Sequence, residues 1–311
     1  MEEESRLQQV PNFRDVGKTV NQFLGERSNR RSIPFISCIS GPSIDNRPDV
    51  SARASFIDPE DDATAADKEL IRDKLEMRTI IDLRTKALCR RSPISTRTEI
   101  LKQIKKHQLE TGRHSGEALQ IQGLDYHGIK INGKSFERHL LSLLSWWDFF
   151  KVILFFILGY RIDAVRVLSH QVMLPRGLVG LGLDTLDYCG SEISEALSFY
   201  TSPHSLPSIV HCTQGKDRLI CALVLMILGI PRAAIEHDYF LTDAALIPSR
   251  PQMLVEIHEI GLPDDWAGTA KDMISSIENH IKDKYGGLEG YLDSIAFGQD
   301  QRARIQETLL F

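Results

Sequence analysis

The feature that most constrains this chain is a short segment in which an apolar run, a tight loop and a second apolar run follow one another. The first run, residues 208–211, reads SIVH, precedes Cys212 and predicts a buried strand. After five further residues, Arg218 precedes the uninterrupted apolar run 219–228, which predicts a buried helix because it has no polar face. Cys212 and Arg218 are therefore expected at the two ends of a loop that joins a strand to a helix.

The loop between Cys212 and Arg218 has the length and the residue types of an anion-binding site. Five residues are enough for a loop to curl around one phosphate, with its backbone N–H groups pointing inward and a guanidinium holding two oxygens. The helix that follows directs its positive end at the same point. We expect Cys212 and Arg218 to act on one phosphate. The residues expected to line it are Thr213, Gln214, Gly215 and Lys216.

Such a site would also ionise the cysteine. A free cysteine has a pKa near ~8.5, and beside cations at a helix N-terminus that pKa can fall to roughly 3.5–7.5. Because the thiolate is the nucleophilic form, Cys212 is a candidate nucleophile. The alternative interpretation is that Cys212 is a small buried apolar residue, which is the usual role of cysteine. The strand before, the helix after, and the His, Gly, Lys and Asp of the segment HCTQGKDR favour the catalytic interpretation.

Composition and charge restrict the remaining function classes. The chain has 311 residues, of which 42% are hydrophobic and 25% charged, as is typical of a globular protein. Its formal net charge of -5 gives no support to nucleic-acid binding. The five cysteines form no close-spaced pattern, so the sequence predicts neither a metal site nor a cofactor and suits a reducing compartment. The acidic start MEEE lacks the features of a signal peptide, and we expect a cytoplasmic protein.

Helical and strand-like patterns alternate along the chain. This alternation predicts an α/β fold, with a central, mostly parallel sheet flanked by helices. The strands are expected at 32–39, 79–83, 126–131 and 208–211. No repeat or low-complexity tract divides the sequence. We therefore expect one domain over residues 1–311.

An apolar stretch interrupts this alternation. Residues 140–158 read LLSLLSWWDFFKVILFFIL, with two charges in the middle, whereas a membrane span needs about 20 apolar residues with few charges. We interpret the stretch as one or two strongly apolar helices that pack on the core or cover the site, within a helical lid insertion at 133–175. Two alternatives stay open. One is a membrane span, and the other is insertion at a membrane interface, which Trp146 and Trp147 favour.

An ordered set of short motifs relates the chain to a known family. The motifs are NFRDVG at 12–17, RAS at 53–55, DLRT at 82–85, HCTQGKDR at 211–218, DYFLT at 238–242, YG at 285–286 and YL at 291–292. Together they resemble those of the tyrosine phosphatase 3 family, a fungal and bacterial branch of the tyrosine phosphatase superfamily. The resemblance covers nearly the whole chain and implies the fold of a cysteine-dependent phosphatase.

The resemblance implies a two-step reaction without a cofactor. Cys212 would attack phosphorus to give a phosphocysteine while Arg218 holds the phosphoryl oxygens, and water would then release phosphate. The implied substrate is a phosphorylated protein, with phosphotyrosine first and dual specificity as an extension. Lys216 and Asp217 also make the loop similar to that of phosphatases that accept phosphoinositides, so a lipid headgroup is an alternative. A peripheral membrane contact through 140–158 would fit such a substrate.

The leaving group needs an acid, and the sequence offers several carboxyl groups. Asp217 is the first candidate, and its alternative role is a structural ion pair, for example with Arg14. Asp82 is the second, because it ends a strand at the edge of the sheet where ligands bind. Its alternative role is a turn or an ion pair with Arg14. Asp125 and Asp163 are more remote candidates. The acid must be protonated at the working pH, which burial favours.

One pair of residues departs from the family pattern. Where the family carries Thr or Ser followed by Gly after the arginine, this chain has Leu219 and Ile220. The missing hydroxyl would hydrogen-bond the cysteine sulfur as it leaves, and its loss costs about 1.5–3 kcal/mol. We expect slow turnover with an accumulating phosphoenzyme, or a pseudophosphatase that binds phosphorylated ligands. The intact Cys212 and Arg218 favour the enzyme, and His211 is expected to orient the loop.

Overall fold

The computed structural model describes part of the chain, namely residues 14–25, 36–40, 65–83, 121, 123–212 and 218–310. For 36–40 and 65–66 it describes the backbone alone. The RAS motif at 53–55 and the loop residues 213–217 lie outside these ranges.

A five-stranded sheet forms the centre of the described structure. Its strands are β1 (Arg14–Asp15), β2 (Ile36–Ser40), β3 (Thr79–Asp82), β4 (Asp125–Gly128) and β5 (Ser208–Cys212). The order across the sheet is β1-β2-β5-β3-β4, and of these strands only the edge strand β1 runs antiparallel to its neighbour. The predicted mostly parallel sheet is therefore confirmed, and its middle strand is the one that ends in Cys212.

Helices flank the sheet. Those of the first half are α1 (Val16–Leu24), α2 (Ala65–Glu69), α3 (Lys134–Ser142), α4 (Trp146–Leu158) and α5 (Arg161–Leu168). Those of the second half are α6 (Leu174–Tyr188), α7 (Gly190–Ser198), α8 (Leu219–Ile227), α9 (Arg232–Ala245), α10 (Arg250–Glu259), α11 (Met273–Tyr285), α12 (Leu288–Ser294) and α13 (Gln299–Leu309). Wider π-helical turns at Leu70–Lys74 and Ser169–Met173 extend α2 and join α5 to α6. The predicted α/β class is confirmed.

The helix α8 lies in the main hydrophobic core, and the strand β5 contributes Val210 and Cys212 to this core and Ile209 to a second cluster. All five residues of β5 are buried, and so are seven of the nine residues of α8. Both results follow from the sequence, because a strand covered on both faces and a helix without a polar side need apolar neighbours all round. The helix α8 packs against α7, α9 and α13. Because α8 begins directly after the loop, its buried position fixes Arg218 at the end of the middle strand.

The segment 133–175, which the sequence predicted to be a helical lid insertion, lies entirely within the described residues. It consists of α3, α4, α5, the π-helical turn that follows and the start of α6. The helix α3 packs against α6, and α4 packs against α5. That these helices cover the site stays a prediction. None of the helices in the described ranges combines the length and the apolarity that crossing a bilayer requires.

Candidate active site

Cys212 and Arg218 flank the loop between β5 and α8, where the sequence predicted them. Cys212 is the last residue of the strand, and its side chain is buried. Arg218 precedes α8, its carbonyl accepts a hydrogen bond from Ala222 N at 2.9 Å, and its side chain is buried. The residues between them lie outside the described ranges. The roles predicted for these residues stay predictions: Thr213, Gln214, Gly215, Lys216 and Asp217.

The guanidinium of Arg218 is anchored on one side by Asp238. Nη1 donates a hydrogen bond to Asp238 Oδ2 at 3.1 Å. Nε and Nη2 are buried and have no hydrogen-bond partner among the described residues. These two nitrogens share one edge of the planar group and form the parallel fork that can hold two oxygens of a phosphate. Because a buried donor without a partner costs about 1–3 kcal/mol, the arrangement suits an oxyanion ligand.

Asp238 holds two arginines that lie far apart in the sequence. Its buried carboxylate accepts the Arg218 bond and two more, from Arg14 Nε at 2.8 Å and from Arg14 Nη2 at 3.1 Å. Arg14 Nη2 also donates to Thr242 Oγ1 at 3.0 Å and to the Asp238 carbonyl. Arg14 belongs to the NFRDVG motif, and Asp238 and Thr242 belong to the DYFLT motif. The fold therefore brings these two motifs against the end of the HCTQGKDR motif.

The electrostatics of this network favour the binding of an anion. Burial lowers the pKa of Arg218 to about 9, and the neighbouring Arg14 cation acts in the same direction. The Asp238 carboxylate and a Cys212 thiolate act in the opposite direction and raise that pKa. Cys212 and Arg218 are therefore within electrostatic reach of each other. A bound phosphate would stabilise the guanidinium cation in the same way as these two anions.

His211 and Asp82 lie side by side where the parallel strands end. They are register partners in β5 and β3, and the distance from His211 Nδ1 to Asp82 Oδ1 is 3.6 Å. This distance is too long for a hydrogen bond but allows an electrostatic contact. The His211 side chain is 2% exposed, whereas that of Asp82 is 18% exposed. Asp82 therefore keeps access to solvent beside the strand that ends in Cys212, and it stays a candidate acid.

The two more remote carboxyl candidates are Asp125 and Asp163. Asp125 begins β4 and is the register partner of Thr79, at the opposite end of the parallel strands from Cys212. The strand length between the two ends is about 10 Å. Asp125 therefore does not fit the role of leaving-group acid. Asp163 lies on α5, in an exposed pair with Arg166 whose Nη1–Oδ1 distance is 3.3 Å.

The two residues that depart from the family pattern are accommodated by the core. Ile220 is fully buried within the main core, and Leu219 is partly buried against it. The helix α8 begins at Leu219, so the additional bulk does not prevent it from docking. A leucine at this position offers no hydroxyl for a neighbouring sulfur.

Sequence reasoning assigned no role to Asp238, although a signal was available. The buried residues of α9 include Ile235, Asp238, Tyr239 and Thr242, so a carboxylate lies on the buried face of this helix. An aspartate in such a position is rarely buried unless it is paired. A search for charged residues at core positions of predicted helices would have selected it. Among the side chains that the structure describes, no group of His, Cys, Asp and Glu residues could hold a metal ion.

Comparisons with known proteins support the relation that the motifs indicated. The model of a family described as the tyrosine phosphatase family matches residues 178–311, which contain β5, α8 and α9. A protein from Nostoc commune named tyrosine-protein phosphatase is 29% identical over 117 residues, which are 32% of this chain and 38% of that protein. The chain thus spans well under half the length of this relative. The predicted resemblance is confirmed over residues 178–311, where the chain is similar to the tyrosine phosphatase family.

Proposed function

We propose that this chain is a phosphatase that hydrolyses phosphoric monoesters of proteins through a phosphocysteine at Cys212. The observation that carries the proposal is the buried fork of Arg218, whose Nε and Nη2 have no partner among the described residues. This fork lies within electrostatic reach of a cysteine at the end of β5. The family match over 178–311 and the name of the Nostoc commune relative support the same activity.

The proposed reaction has two steps on one sulfur. The Cys212 thiolate attacks phosphorus, so that an S–P bond forms and the bond to the leaving oxygen breaks. The leaving oxygen takes a proton from a carboxylic acid, for which Asp217 is our first candidate and Asp82 the alternative. Water then attacks phosphorus and gives its proton to that carboxylate, and the S–P bond breaks to return the thiolate and free phosphate. Arg218 and the loop residues 213–216 bind the phosphoryl oxygens in both steps.

Asp238 and Arg14 have a positioning role in this proposal. The bond from Arg218 Nη1 to Asp238 occupies the side of the guanidinium that faces away from the Nε–Nη2 fork. The bidentate pair between Asp238 and Arg14 in turn fixes the carboxylate. His211, beside Asp82, is proposed to orient the start of the loop.

We also propose that residues 1–311 form one phosphatase domain, although the family match begins at residue 178. The strands β1 to β4 precede the match, yet they belong to the same sheet as β5. Arg14 from the start of the chain contacts Asp238 within the match. A reducing, cytoplasmic location would suit this enzyme, because the thiolate must stay reduced to act.

Phosphotyrosine in proteins is the substrate that we place first, in keeping with the name of the relative. Dual specificity toward phosphoserine and phosphothreonine is an extension of the same chemistry. Phosphoinositides are the alternative, which the charges of Lys216 and Asp217 beside Arg218 support.

The test is an assay of the purified chain with a phosphotyrosine peptide, a phosphoserine peptide and a short-chain phosphoinositide. We expect Cys212→Ser and Arg218→Lys each to lower kcat/KM by roughly 10³-fold or more. The first variant loses the nucleophile, and the second keeps a charge but loses the planar fork. Phosphate release by Cys212→Ser at the wild-type rate would end the proposal.

Binding without turnover is a second candidate, which Leu219 and Ile220 favour because they replace the usual hydroxyl and glycine. A pseudophosphatase would bind a phosphotyrosine peptide through Arg218 and release no phosphate from it. Multiple turnover by the wild-type chain would exclude this candidate. Tight peptide binding without phosphate release would favour it over the enzyme.

A further inference from the structure

The surface of α4 is apolar over most of its circumference. Only Val152 of its 13 residues is buried. Trp146, Trp147 and Ile157 are 71%, 73% and 76% exposed. The other exposed apolar residues of the helix are Phe149, Phe150, Ile153, Leu154, Phe156 and Leu158. With 3.6 residues per turn, these positions cover roughly 200° of the helix. An exposed apolar surface of this extent marks a contact with another protein or with a membrane.

The opposite side of α4 holds it to the rest of the chain. Val152 and the partly buried Phe155 belong to a small hydrophobic cluster that is separate from the main core. Ser145 caps the helix, and its Oγ accepts a hydrogen bond from Asp148 N at 3.2 Å. Lys151 Nζ donates to Asp148 Oδ1 at 3.1 Å, so that the two charges of the helix pair with each other. The apolar surface is therefore carried by an ordered, capped helix.

The length and the aromatic ends of α4 fit a lipid surface. Its 13 residues extend about 20 Å, shorter than the ~30 Å hydrocarbon core of a bilayer, so the helix can lie at the interface but cannot cross. Trp146 and Trp147 begin the helix, and Tyr160 follows its end with 58% of its surface exposed. Tryptophan and tyrosine are the side chains that favour the level of the lipid headgroups.

The arc of exposed residues also favours lipid over a second protein. A helix that packs on a protein partner typically buries an apolar stripe of about 100°. The apolar arc of α4 is about twice as wide. Lipid chains adapt to such an arc, because they surround an interfacial helix on all sides that enter the membrane.

The charge around α4 indicates which lipids would be bound. Residues 133–175 contain five lysines and arginines and three aspartates and glutamates. This segment is net positive, although the whole chain has a formal net charge of -5. Basic residues next to an interfacial helix are attracted to the negative surface potential of anionic lipids.

We propose that α4 docks this protein on an anionic phospholipid surface, with residues 146–158 at the boundary between headgroups and acyl chains. The docking does not depend on the proposed phosphatase activity. It would bring the loop between β5 and α8 to substrates that are carried by a membrane.

The test is cosedimentation of the purified full chain with vesicles of phosphatidylcholine, alone or mixed with phosphatidylserine. We expect binding to the mixed vesicles. The double variant Ile157→Ser/Leu158→Ser should lower the ratio of bound to free protein by roughly tenfold or more, because two large apolar side chains no longer enter the lipid. Tryptophan emission should shift to shorter wavelength on binding, since Trp146 and Trp147 leave water while the buried Trp266 does not change its surroundings.

Two control variants separate this proposal from others. Val255→Ser changes an apolar residue of α10 that is 65% exposed, and it should bind vesicles like the wild type. Cys212→Ser should also bind like the wild type, so a failure of the phosphatase proposal leaves this test valid. Unchanged thermal unfolding of the double variant shows that it is folded.

Three outcomes would overturn the proposal. The first is absence of wild-type binding to both kinds of vesicle, and the second is equal binding by the wild type and the double variant. The third is a dimer in solution that the double variant converts to a monomer, without vesicle binding by the wild type. That result would assign the surface of α4 to a second copy of the chain.

Discussion

Two helices of this chain are similarly apolar in sequence, but their surroundings are opposite. The helix α8, LICALVLMI, has seven of its nine residues buried, whereas α4, WWDFFKVILFFIL, has one of 13 buried. The difference comes from their places in the fold. The helix α8 is the next described element after the middle strand and lies in the core, whereas α4 lies within residues 133–175 and packs mainly on α5. Apolar composition predicts that a helix needs a contact, and the topology decides whether the chain itself supplies that contact.

The two regions also differ in the surroundings of their charged side chains. Next to α8, Arg218 is buried and needs Asp238, while in α4 the charges of Asp148 and Lys151 pair at the surface. Substitutions in the two regions should therefore have very different effects.

The largest effect is expected at the buried charges beside α8. Asp238→Ala leaves Arg218 and Arg14 close together without their shared anion, and should lower the free energy of unfolding by about 3–5 kcal/mol. Urea denaturation measures this loss. Asp163→Ala is the control, because it breaks an exposed ion pair and should cost less than about 1 kcal/mol. Equal, small losses in both variants would contradict the role given to Asp238.

Substitutions of two leucines test the difference in burial between α8 and α4. Leu223 in α8 is fully buried, and Leu154 in α4 is 53% exposed. We expect Leu223→Ala to lower the free energy of unfolding by about 2–5 kcal/mol, because it leaves a cavity in the core. Leu154→Ala should change it by less than about 0.5 kcal/mol. A similar loss in both variants would mean that α4 is covered in the folded chain.

The start of α8 carries the third prediction, which concerns turnover. Leu219→Thr restores a hydroxyl next to the loop and should speed the breakdown of the phosphoenzyme by roughly ten- to hundredfold. Leu219→Val is the matched control, since valine has the shape of threonine without the hydroxyl. Ile220 is kept in both variants, because a glycine in its buried place would open a cavity. Single-turnover kinetics measures the rate of phosphoenzyme breakdown. Equal rates in Leu219→Thr and Leu219→Val would show that the hydroxyl has no role.

The smallest expected effect is a change in pH dependence. Asp238→Asn keeps an oxygen acceptor for Arg218 but removes a negative charge that raises the pKa of that arginine. The pKa of Arg218, which burial lowers to about 9, should therefore fall further. Because phosphate binding needs the cation, which is lost as the pH rises through the pKa, the alkaline limb of kcat/KM should move to lower pH. An alkaline limb that stays at the wild-type pH would contradict this account of Asp238.

The parts of the candidate site that could be predicted from the sequence are those that depend on neighbours along the chain. Cys212 and Arg218 are six positions apart, and the apolar runs on both sides predicted the strand and the helix that place them. Asp82 was expected at the end of a strand, and β3 ends there.

The parts that could not be predicted depend on contacts between distant residues. Arg14 and Asp238 are 224 positions apart, and their ion pair forms only because β1, at the edge of the sheet, and α9 are brought together. No local pattern reports such a contact. The exposure of α4 could not be predicted from the sequence either. The same apolar run is compatible with a core helix, with a lid and with a surface that binds lipid.

The measurement that tests the central claim most directly is the trapping of the phosphoenzyme. The wild-type chain is mixed with a phosphotyrosine peptide, denatured within the first turnover, digested and examined by mass spectrometry. The account predicts a phosphoryl group on the enzyme fragment that contains Cys212. This group should form in a burst together with the dephosphorylated substrate, and it should be absent from Cys212→Ser. Dephosphorylation of the substrate by the wild type without phosphorylation of the Cys212 fragment would contradict the account. Equal phosphorylation of this fragment in the serine variant would also contradict it.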